Sequence, residues 1–343
     1  MNPGDKLRLQ VEEEMLAILS KGSTPLLELE SMYRYHMGFC DRDGKPVDVP
    51  KGKYMRPVLC LAMCAALGGD PEQAIPAAAS LELGHRSSLI FDDIQDKGME
   101  RNGRPAVWTI WGAAQAINAG LVLSSFARIA LLRLEERRVP TNTILATWAV
   151  LERANIDLCR GQFLDLSFMD GRSVGVAEYL DMVRGKTASF FAAACEVAAL
   201  IASRDAPTVM LAREFGLKMG VAFQVHDDYL GVWGDEGEVG KTANDLVEKK
   251  RSLPMVLACE MAPGFPQVDR ATLEGWLKSE GPRPEEAAVV KSFMEDIGVP
   301  TRLAEMERGY LGEATQVLDQ LELQPEWAER LRSLLERVVE RNL

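Results

Sequence analysis

The sequence predicts an all-α protein, and two observations support that fold class. Apolar residues recur at spacings of three and four through most of the chain, as in LRLQVEEEMLAILS near the start and WAERLRSLLERVVERNL at the end. Strand-like alternation with hairpin turns is absent. With 343 residues, 47% of them apolar, the chain can bury a large core. We expect about a dozen helices, in one domain over residues 1–343.

The predicted helices are separated by loops rich in glycine, proline and aspartate. The first helix, LRLQVEEEMLAILS, precedes the loop DRDGKPVDVPKG, and IPAAASLELGHRSSLIF begins a long helix after LGGDPEQ. A second long helix contains TILATWAVLERANIDLCRGQFLDLSFM. The loops WGDEGEVGKTAND, MAPGFP and SEGPRP divide the later helices. No repeat or long linker marks a domain boundary.

Composition narrows the class of protein. The net charge of −12 and the lack of a long basic run argue against nucleic-acid binding. The longest apolar stretch that we identify, SFFAAACEVAALIA, is interrupted by Glu196 and is too short to cross a bilayer. The segment MNPGDKLRLQVEEEM has no signal-peptide core. We therefore expect a cytoplasmic protein without a transmembrane segment. The six cysteines have no metal-ligand spacing, which is typical of buried, reduced thiols.

Two apolar segments, SLIFDDIQD and FQVHDDYLG, carry paired carboxylates. On a helix Ser88, Asp92 and Asp96 share one face, whereas Asp93 is turned about 100° away. A lone DDxxD is more often a solvated acidic face. Here the flanks are apolar and a second pair, Asp227 and Asp228, recurs. Oxygen ligands without sulfur or imidazole favour Mg²⁺, which commonly shares its coordination shell with water and substrate phosphate.

Candidate phosphate-binding cations accompany these carboxylates. Lys53 and Arg56 lie at a predicted helix start, where backbone N–H groups also favour anions. Arg101 follows the first acidic segment, Lys186 lies in RGKTASFF, and Lys241 lies in a glycine-containing loop. Each of them alone is more often a surface charge. Together with the acidic pairs they predict a metal-bridged diphosphate site.

The motifs GKxxRP, H-x6-DDxxD, RxGRP-x-VW, GQxxD, GKT, FQxxDD and GK-x3-DL occur in this order between residues 52 and 254. This order resembles the trans-isoprenyl diphosphate synthases of the polyprenyl synthetase family, in particular bacterial geranylgeranyl-type enzymes. The resemblance implies a single-domain isoprenoid-synthase helical bundle with a central cavity. It implies Mg²⁺-dependent, head-to-tail condensation of an allylic diphosphate with isopentenyl diphosphate. It also implies a homodimer.

The resemblance assigns roles to individual residues. Asp92, Asp96 and Asp227 would bind three Mg²⁺ ions, and Asp228 belongs to the same metal set, with Asp93 and Asp228 acting mainly through water or neighbouring contacts. The allylic diphosphate would be held by Arg101, Lys186 and Lys241, and the isopentenyl diphosphate by Lys53, Arg56 and His85. Thr187 and Gln224 match polar positions beside the reacting carbons, and Gln162 matches a further polar position of the site.

Four positions depart from the family pattern. Gly231 replaces the last aspartate of the second acidic motif, and Asp235 is the candidate substitute. Asn102 replaces an arginine that helps to bind isopentenyl diphosphate, and Arg104 or Arg86 are candidates to compensate. Tyr54 and Leu121 also replace usual residues.

These departures keep two other functions open. A class I terpene cyclase on the same fold would act on one allylic diphosphate, and the changes at Asn102, Tyr54 and Gly231 favour it. The retained Lys53, Arg56 and His85 favour chain elongation instead. A regulatory subunit with a degenerate site would have lost its metal ligands, but the acidic residues are retained.

Product length depends on the hydrocarbon pocket. Ser88 lies one helical turn, about 5.4 Å, from Asp92, and Ser87 is its neighbour. Two small residues here leave room for a long tail, so we predict a product of C20 or longer. Phe190 or Phe191 are candidates to close the pocket.

Overall fold

A computed structural model of the chain describes residues 3–20, 27–168, 172–234, 245–265, 273–277 and 283–338. The helices and strands, in order, are α1 (Pro3–Leu19), α2 (Leu27–His36), α3 (Met55–Ala66), α4 (Pro71–Gln95), β1 (Glu100–Arg101), β2 (Arg104–Pro105), α5 (Val107–Trp111), α6 (Ala113–Leu132), α7 (Thr141–Phe168), α8 (Val176–Val183), a π-helix (Arg184–Ala188), α9 (Ser189–Ile201), α10 (Ala206–Trp233), α11 (Leu253–Met261), a 3₁₀-helix (Ala262–Gly264), α12 (Pro284–Asp296), α13 (Val299–Leu318) and α14 (Pro325–Glu336). The all-α prediction is confirmed.

The chain divides into two compact units. Unit 1 comprises Met1–Asn155, Phe190–Arg213 and Leu321–Leu331, and unit 2 comprises Ile156–Ser189, Glu214–Gln320 and Arg332–Leu343. Helices α7 and α10 each continue from one unit into the other along the chain. The division therefore does not follow a linker, and the single domain stays a prediction.

Unit 1 is built on α4, which packs against α3 and α6. Small residues of α4 allow a close approach to α6. Ser80 Oγ donates to the carbonyl of Ala127 at 2.6 Å, and Ser87 Oγ donates to that of Gly120 at 2.9 Å. Asp70 caps the N-terminus of α4 by accepting from the Glu72 N–H at 3.0 Å. These contacts fix the helix that carries the first acidic segment.

Unit 2 has its own hydrophobic core. Phe168, Tyr179, Val225, Met255 and Phe293 belong to one buried cluster, to which α7, α8, α10, α11 and α12 contribute. Helix α11 also packs against α8 and α13. This core supports the second acidic segment on α10.

Two features differ from the sequence-based expectation. Strands β1 and β2 form a short antiparallel hairpin that pairs Arg101 with Arg104, although no hairpin was expected. Helix α6 is long and apolar enough to cross a membrane, but core helices of soluble proteins also have this length and composition. Within α6, Arg128 donates to Glu152 on α7 at 2.7 Å. The apolar character of α6 was not foreseen because polar residues interrupt it.

Candidate active site

The first acidic segment lies at the C-terminal end of α4. Ser88 and Asp92 are in its last turns, and Asp96 is the C-cap, with its N–H bonded to the Asp92 carbonyl at 2.8 Å. The helix dipole disfavours negative charge at this end, so these carboxylates need nearby cations. Ser88, Asp92 and Asp96 thus lie along one edge of α4 and its C-cap, as the spacing predicted.

Arg101 supplies one of these cations. Its Nη2 donates to Asp92 Oδ2 at 3.0 Å, and its Nε donates to Asp93 Oδ1 at 2.9 Å. Asp93 is only 2% exposed, so it anchors the arginine, in agreement with the neighbouring contacts predicted for it. The two carboxylates raise the pKa of Arg101 against the effect of burial. Arg101 is thereby fixed beside Asp92.

The donor set of Asp92 and Asp96 fits a hard divalent cation. Both ligands are carboxylates, and within the described ranges no group of three or more histidine, cysteine or acidic residues could by itself enclose a metal ion. Mg²⁺ typically takes one or two carboxylates and completes its shell with water and substrate phosphate. The carboxylates of α4 therefore fit an ion shared with a diphosphate.

The hairpin after α4 explains Asn102. Asn102 and Gly103 have φ angles of 54° and 70° and form the two-residue turn between β1 and β2. Asn-Gly is the preferred pair for a type I′ hairpin turn, because both residues need positive φ. Asn102 is therefore suited to the turn itself, a signal that was present in the sequence.

The two candidates to compensate for Asn102 both contact protein groups. Arg104 donates to the carbonyls of Tyr35 and Cys40 at 3.1 and 2.9 Å and stacks on the Tyr35 ring. Arg86 is buried, donates to Glu82 Oε1 at 2.7 Å and contacts the Lys51 carbonyl. Both guanidinium groups bind protein atoms, and compensation for Asn102 by Arg104 or Arg86 stays a prediction.

The predicted isopentenyl diphosphate residues Arg56 and His85 are brought together. Arg56 Nη1 lies 3.2 Å from His85 Nε2, and its guanidinium stacks on the Phe191 ring at 4.6 Å. Burial, and then the charge of Arg56, hold the pKa of His85 well below its usual value. His85 is therefore neutral near pH 7 and contributes hydrogen bonding without charge. Lys53 is exposed two residues before the first residue of α3.

Tyr54 occupies its unusual position as a buried aromatic residue. It is 2% exposed and adopts a left-handed conformation, with φ 51°, as the N-cap of α3. The guanidinium groups of Arg8 and Arg86 lie 5.3 and 5.7 Å from its ring centroid. Tyr54 thus joins α1, α3 and α4 through cation–π contacts, which explains its presence there.

The tail pocket predicted at Ser87 and Ser88 stays a prediction, and the two serines have different surroundings. Ser87 is 4% exposed and bonds to Gly120 on α6, so Ser87 serves helix packing. Ser88 is half-buried, and its hydroxyl bonds to the His85 carbonyl at 2.8 Å. Phe190 packs on Gly84, one turn below Ser88, and a methyl group at Gly84 would lie 3.4 Å from its ring. Phe191 instead lies under Arg56.

In unit 2, two glycines position Lys186. Gly161 on α7 meets the backbone of Gly185 and Lys186 in the π-helix so closely that a side chain at either glycine would overlap the other segment. At this crossing Lys186 Nζ donates to Asp165 Oδ2 at 2.6 Å. Asp165 is the aspartate of GQxxD, to which no role was assigned from sequence. Gln162, the residue after Gly161, is 8% exposed.

The two acidic residues of α10 have different environments. Asp227 is exposed, whereas Asp228 is 5% exposed. Asp228 accepts hydrogen bonds from the Tyr179 hydroxyl at 2.6 Å, from Gln224 Nε2 at 2.9 Å and from the Leu253 N–H at 3.3 Å. Burial raises its pKa to about 7. Both carboxylate oxygens accept hydrogen bonds from protein donors, as the neighbouring contacts predicted for Asp228 require, and its place in the metal set stays a prediction.

Gly231 leaves room for another carboxylate. A side chain at Gly231 would overlap the carboxylate of Asp245, whose N–H donates to the Gly231 carbonyl at 3.2 Å. Burial raises the pKa of Asp245, and Lys250 Nζ, at 3.3 Å, opposes that effect. Asp245 is the aspartate of the motif GK-x3-DL, and its role was not predicted from the sequence. The predicted substitute Asp235 and the predicted phosphate ligand Lys241 lie outside the described residues.

Comparisons with known proteins identify the family of this chain. A family model described as Polyprenyl synthetase matches residues 47–297. The chain is 39% identical over 231 residues to the geranylgeranyl diphosphate synthase of Mycobacterium tuberculosis, covering 67% of this chain and 65% of that protein. It is 39% identical over 222 residues to the (2E,6E)-farnesyl diphosphate synthase of Mycobacterium bovis, covering 64% of this chain and 60% of that protein. The crystal structure of a polyprenyl synthetase from Streptomyces coelicolor A3(2) superposes with a TM-score of 0.88 at 31% identity, covering 98% of each chain.

Proposed function

Because this chain belongs to the polyprenyl synthetase family, we propose that it transfers prenyl groups, condensing an allylic diphosphate with isopentenyl diphosphate into a product of C20 or longer. The observation that carries the proposal is the pair Asp92 and Asp96 at the end of α4, with Arg101 bonded to Asp92. Carboxylates and a guanidinium at one helix end suit a diphosphate bound through a cation.

The reaction requires stabilisation of charge on the leaving diphosphate. The allylic C–O bond breaks, the allylic carbon bonds to isopentenyl diphosphate, and a proton then leaves for the departing diphosphate. Asp92, Asp96 and Asp227 would hold three Mg²⁺ ions. These ions would stabilise the negative charge on the leaving oxygens. In this proposal Arg101, Lys186 and Lys241 would bind the leaving diphosphate.

Elongation is favoured over cyclisation by the second cationic site. Arg56 and His85 are in contact, and Lys53 is exposed three residues before Arg56; a protein acting on one diphosphate does not need these groups. Tyr54 and Asn102, which favoured a cyclase, have structural roles in a helix cap and a turn. The relatives reported above are named as synthases, so the cyclase alternative is not favoured.

The proposed product length rests on Ser88 and Phe190. Ser88 leaves the face of α4 below Asp92 open for one turn, and Phe190 packs at the next turn, on Gly84. Phe190 is therefore the residue proposed to limit the pocket on this side of α4.

Self-association as a homodimer is part of the proposal, as is a cytoplasmic location. Ile117, Leu121 and Ile129 recur at multiples of four residues on α6 and are 42–55% exposed. Leu121 and Ile129 also line a groove of about 650 Å³ on unit 1. A dimer interface on this face would account for an apolar residue at position 121. Light scattering tests the proposed dimer, because Leu121→Asp should convert dimers into monomers.

Product analysis tests the activity. Purified protein is given Mg²⁺, labelled isopentenyl diphosphate and allylic diphosphates of different lengths, and products are identified after phosphatase treatment. Label in a longer prenyl alcohol is expected. Unlabelled hydrocarbon or cyclic alcohol would show cyclisation, and no turnover would leave a regulatory subunit.

A further inference from the structure

A buried chain of hydrogen bonds in unit 2 connects the core to the reacting groups. Its first member, Tyr179, is 3% exposed and donates to Asp228 Oδ2. Asp228 Oδ1 accepts from Gln224 Nε2, and Gln224 Oε1 accepts from the Thr187 hydroxyl at 2.7 Å. The reaction as described above has no use for Tyr179 or Asp228.

The direction of each hydrogen bond follows from its neighbour. Asp228 is surrounded by donors, including the N–H of Leu253, which can only donate. Gln224 therefore presents its amide NH₂ to Asp228 and its oxygen to Thr187. The hydroxyl of Thr187 has one hydrogen, which this contact occupies. The lone pairs of Thr187 then face away from Gln224.

The arrangement also ties two adjacent helical segments to α10. Tyr179 lies on α8, and Thr187 lies in the π-helix that follows it. Both reach α10 through the same pair, Gln224 and Asp228, which are one turn apart. A π-helical turn in a longer helix is frequently found at functional sites. The chain of bonds ties the π-helical turn to α10 through Thr187, and it ties the preceding helix α8 to α10 through Tyr179.

We propose that Tyr179 and Asp228 are positioning residues, which orient Gln224 so that Thr187 presents lone pairs to the positive charge developing on the allylic carbon. This rests on the proposed prenyl transfer. A hydroxyl hydrogen turned toward that carbon would repel the charge. Preorganised dipoles of this kind act mainly on the rate of the chemical step.

Removal of one hydroxyl group tests the proposal. Tyr179→Phe is expected to lower kcat about tenfold, with KM for both diphosphates unchanged. Tyr35→Phe is the matched control, because it also removes a hydroxyl hydrogen bond, to the Pro105 carbonyl at 3.0 Å. It should lower Tm to a similar extent and leave kcat unchanged. Unchanged kcat in Tyr179→Phe would overturn the proposal.

A double-mutant cycle distinguishes positioning from stability. If Tyr179 acts through Thr187, Tyr179→Phe should cause no further loss of kcat in a Thr187→Val background. Equal losses in both backgrounds contradict the proposal. In Asp228→Asn the new amide can donate a hydrogen bond, so the Gln224 amide can rotate by 180° and exchange its oxygen and nitrogen. This variant should lose at least as much kcat as Tyr179→Phe.

A crystal structure separates this proposal from the proposed function. Lack of wild-type turnover would refute prenyl transfer, and positioning is then decided by the Asp228→Ala variant. Without its anchor, Gln224 should move, and the Thr187–Gln224 contact should open beyond about 3.5 Å. An unchanged contact would show that Asp228 does not position Gln224.

Discussion

The carboxylate of Asp245 lies in the space into which a side chain at Gly231 would project. Gly231 stands in place of the last aspartate of the DDxxD pattern that the second acidic motif resembles. A carboxylate is therefore present beside this turn of α10, although it comes from a different segment of the chain. Gly231 and Asp245 are expected to depend on each other.

Restoring the family residue at position 231 should consequently harm this protein. Gly231→Asp would place a second carboxylate against Asp245, which is already half-buried. We expect steric overlap and charge repulsion to lower the free energy of unfolding by about 1–3 kcal/mol and to lower kcat. Thermal unfolding and steady-state assays measure both effects.

A compensating substitution provides the sharper test of this dependence. Gly231→Asp/Asp245→Gly should recover part of the lost stability, because only one carboxylate then occupies the space. Gly309→Ala is the control, since that helical glycine has open space around its Cβ position and should be neutral or slightly stabilising. A wild-type-like Gly231→Asp variant would show that Asp245 moves away readily.

Asp92 should be essential for turnover but not for folding. Asp92→Asn keeps the size of the side chain and removes a charge that the C-terminal end of α4 disfavours. We expect kcat to fall at least about a hundredfold, with Tm within a few degrees of the wild type. Asp43→Asn, at an exposed loop position, is the control. Full activity of Asp92→Asn would refute the assignment of this carboxylate to the site.

The two adjacent phenylalanines should have separable effects. Phe190→Leu shortens the side chain that packs on Gly84 and should shift the products toward longer chains. Phe191→Leu weakens the stacking under Arg56 and should raise the KM for isopentenyl diphosphate without changing product length. Chromatography of the dephosphorylated products measures the first effect. Identical product lengths in both variants would place the pocket floor elsewhere.

Residues close together in sequence were predicted well. The three- and four-residue periodicity identified the helices, and the spacing of Ser88, Asp92 and Asp96 identified the acidic edge of α4. Local turn chemistry was underused, since Asn102–Gly103 signals a hairpin on its own. Local patterns were sufficient where helical geometry alone decides the arrangement.

Long-range contacts were not predictable from the pattern. The approach of Asp245 to Gly231 and the bond from Tyr179 to Asp228 join segments that only tertiary packing brings together. The bond from Ser87 to Gly120 was not expected, because the face of α4 that meets α6 is not distinguishable by periodicity. Single-sequence reasoning identifies which residues share a helix face, but not what that face contacts.

Acid should destabilise the folded protein through His36. This residue is buried, its Nε2 lies 2.9 Å from the Arg86 carbonyl, and burial together with the charge of Arg86 lowers its pKa to about 3. As the pH falls below 6.5, His36 becomes protonated in the unfolded chain but stays neutral in the folded chain. The free energy of unfolding therefore falls, by about 2 kcal/mol at pH 5. His36→Gln retains a donor for that carbonyl and lacks this proton uptake. Relative to the wild type, its free energy of unfolding should improve by that amount between pH 7.5 and pH 5, measured by urea denaturation. Tyr35→Phe, which does not titrate in this range, should differ from the wild type equally at both pH values, and the same behaviour of His36→Gln would contradict the prediction.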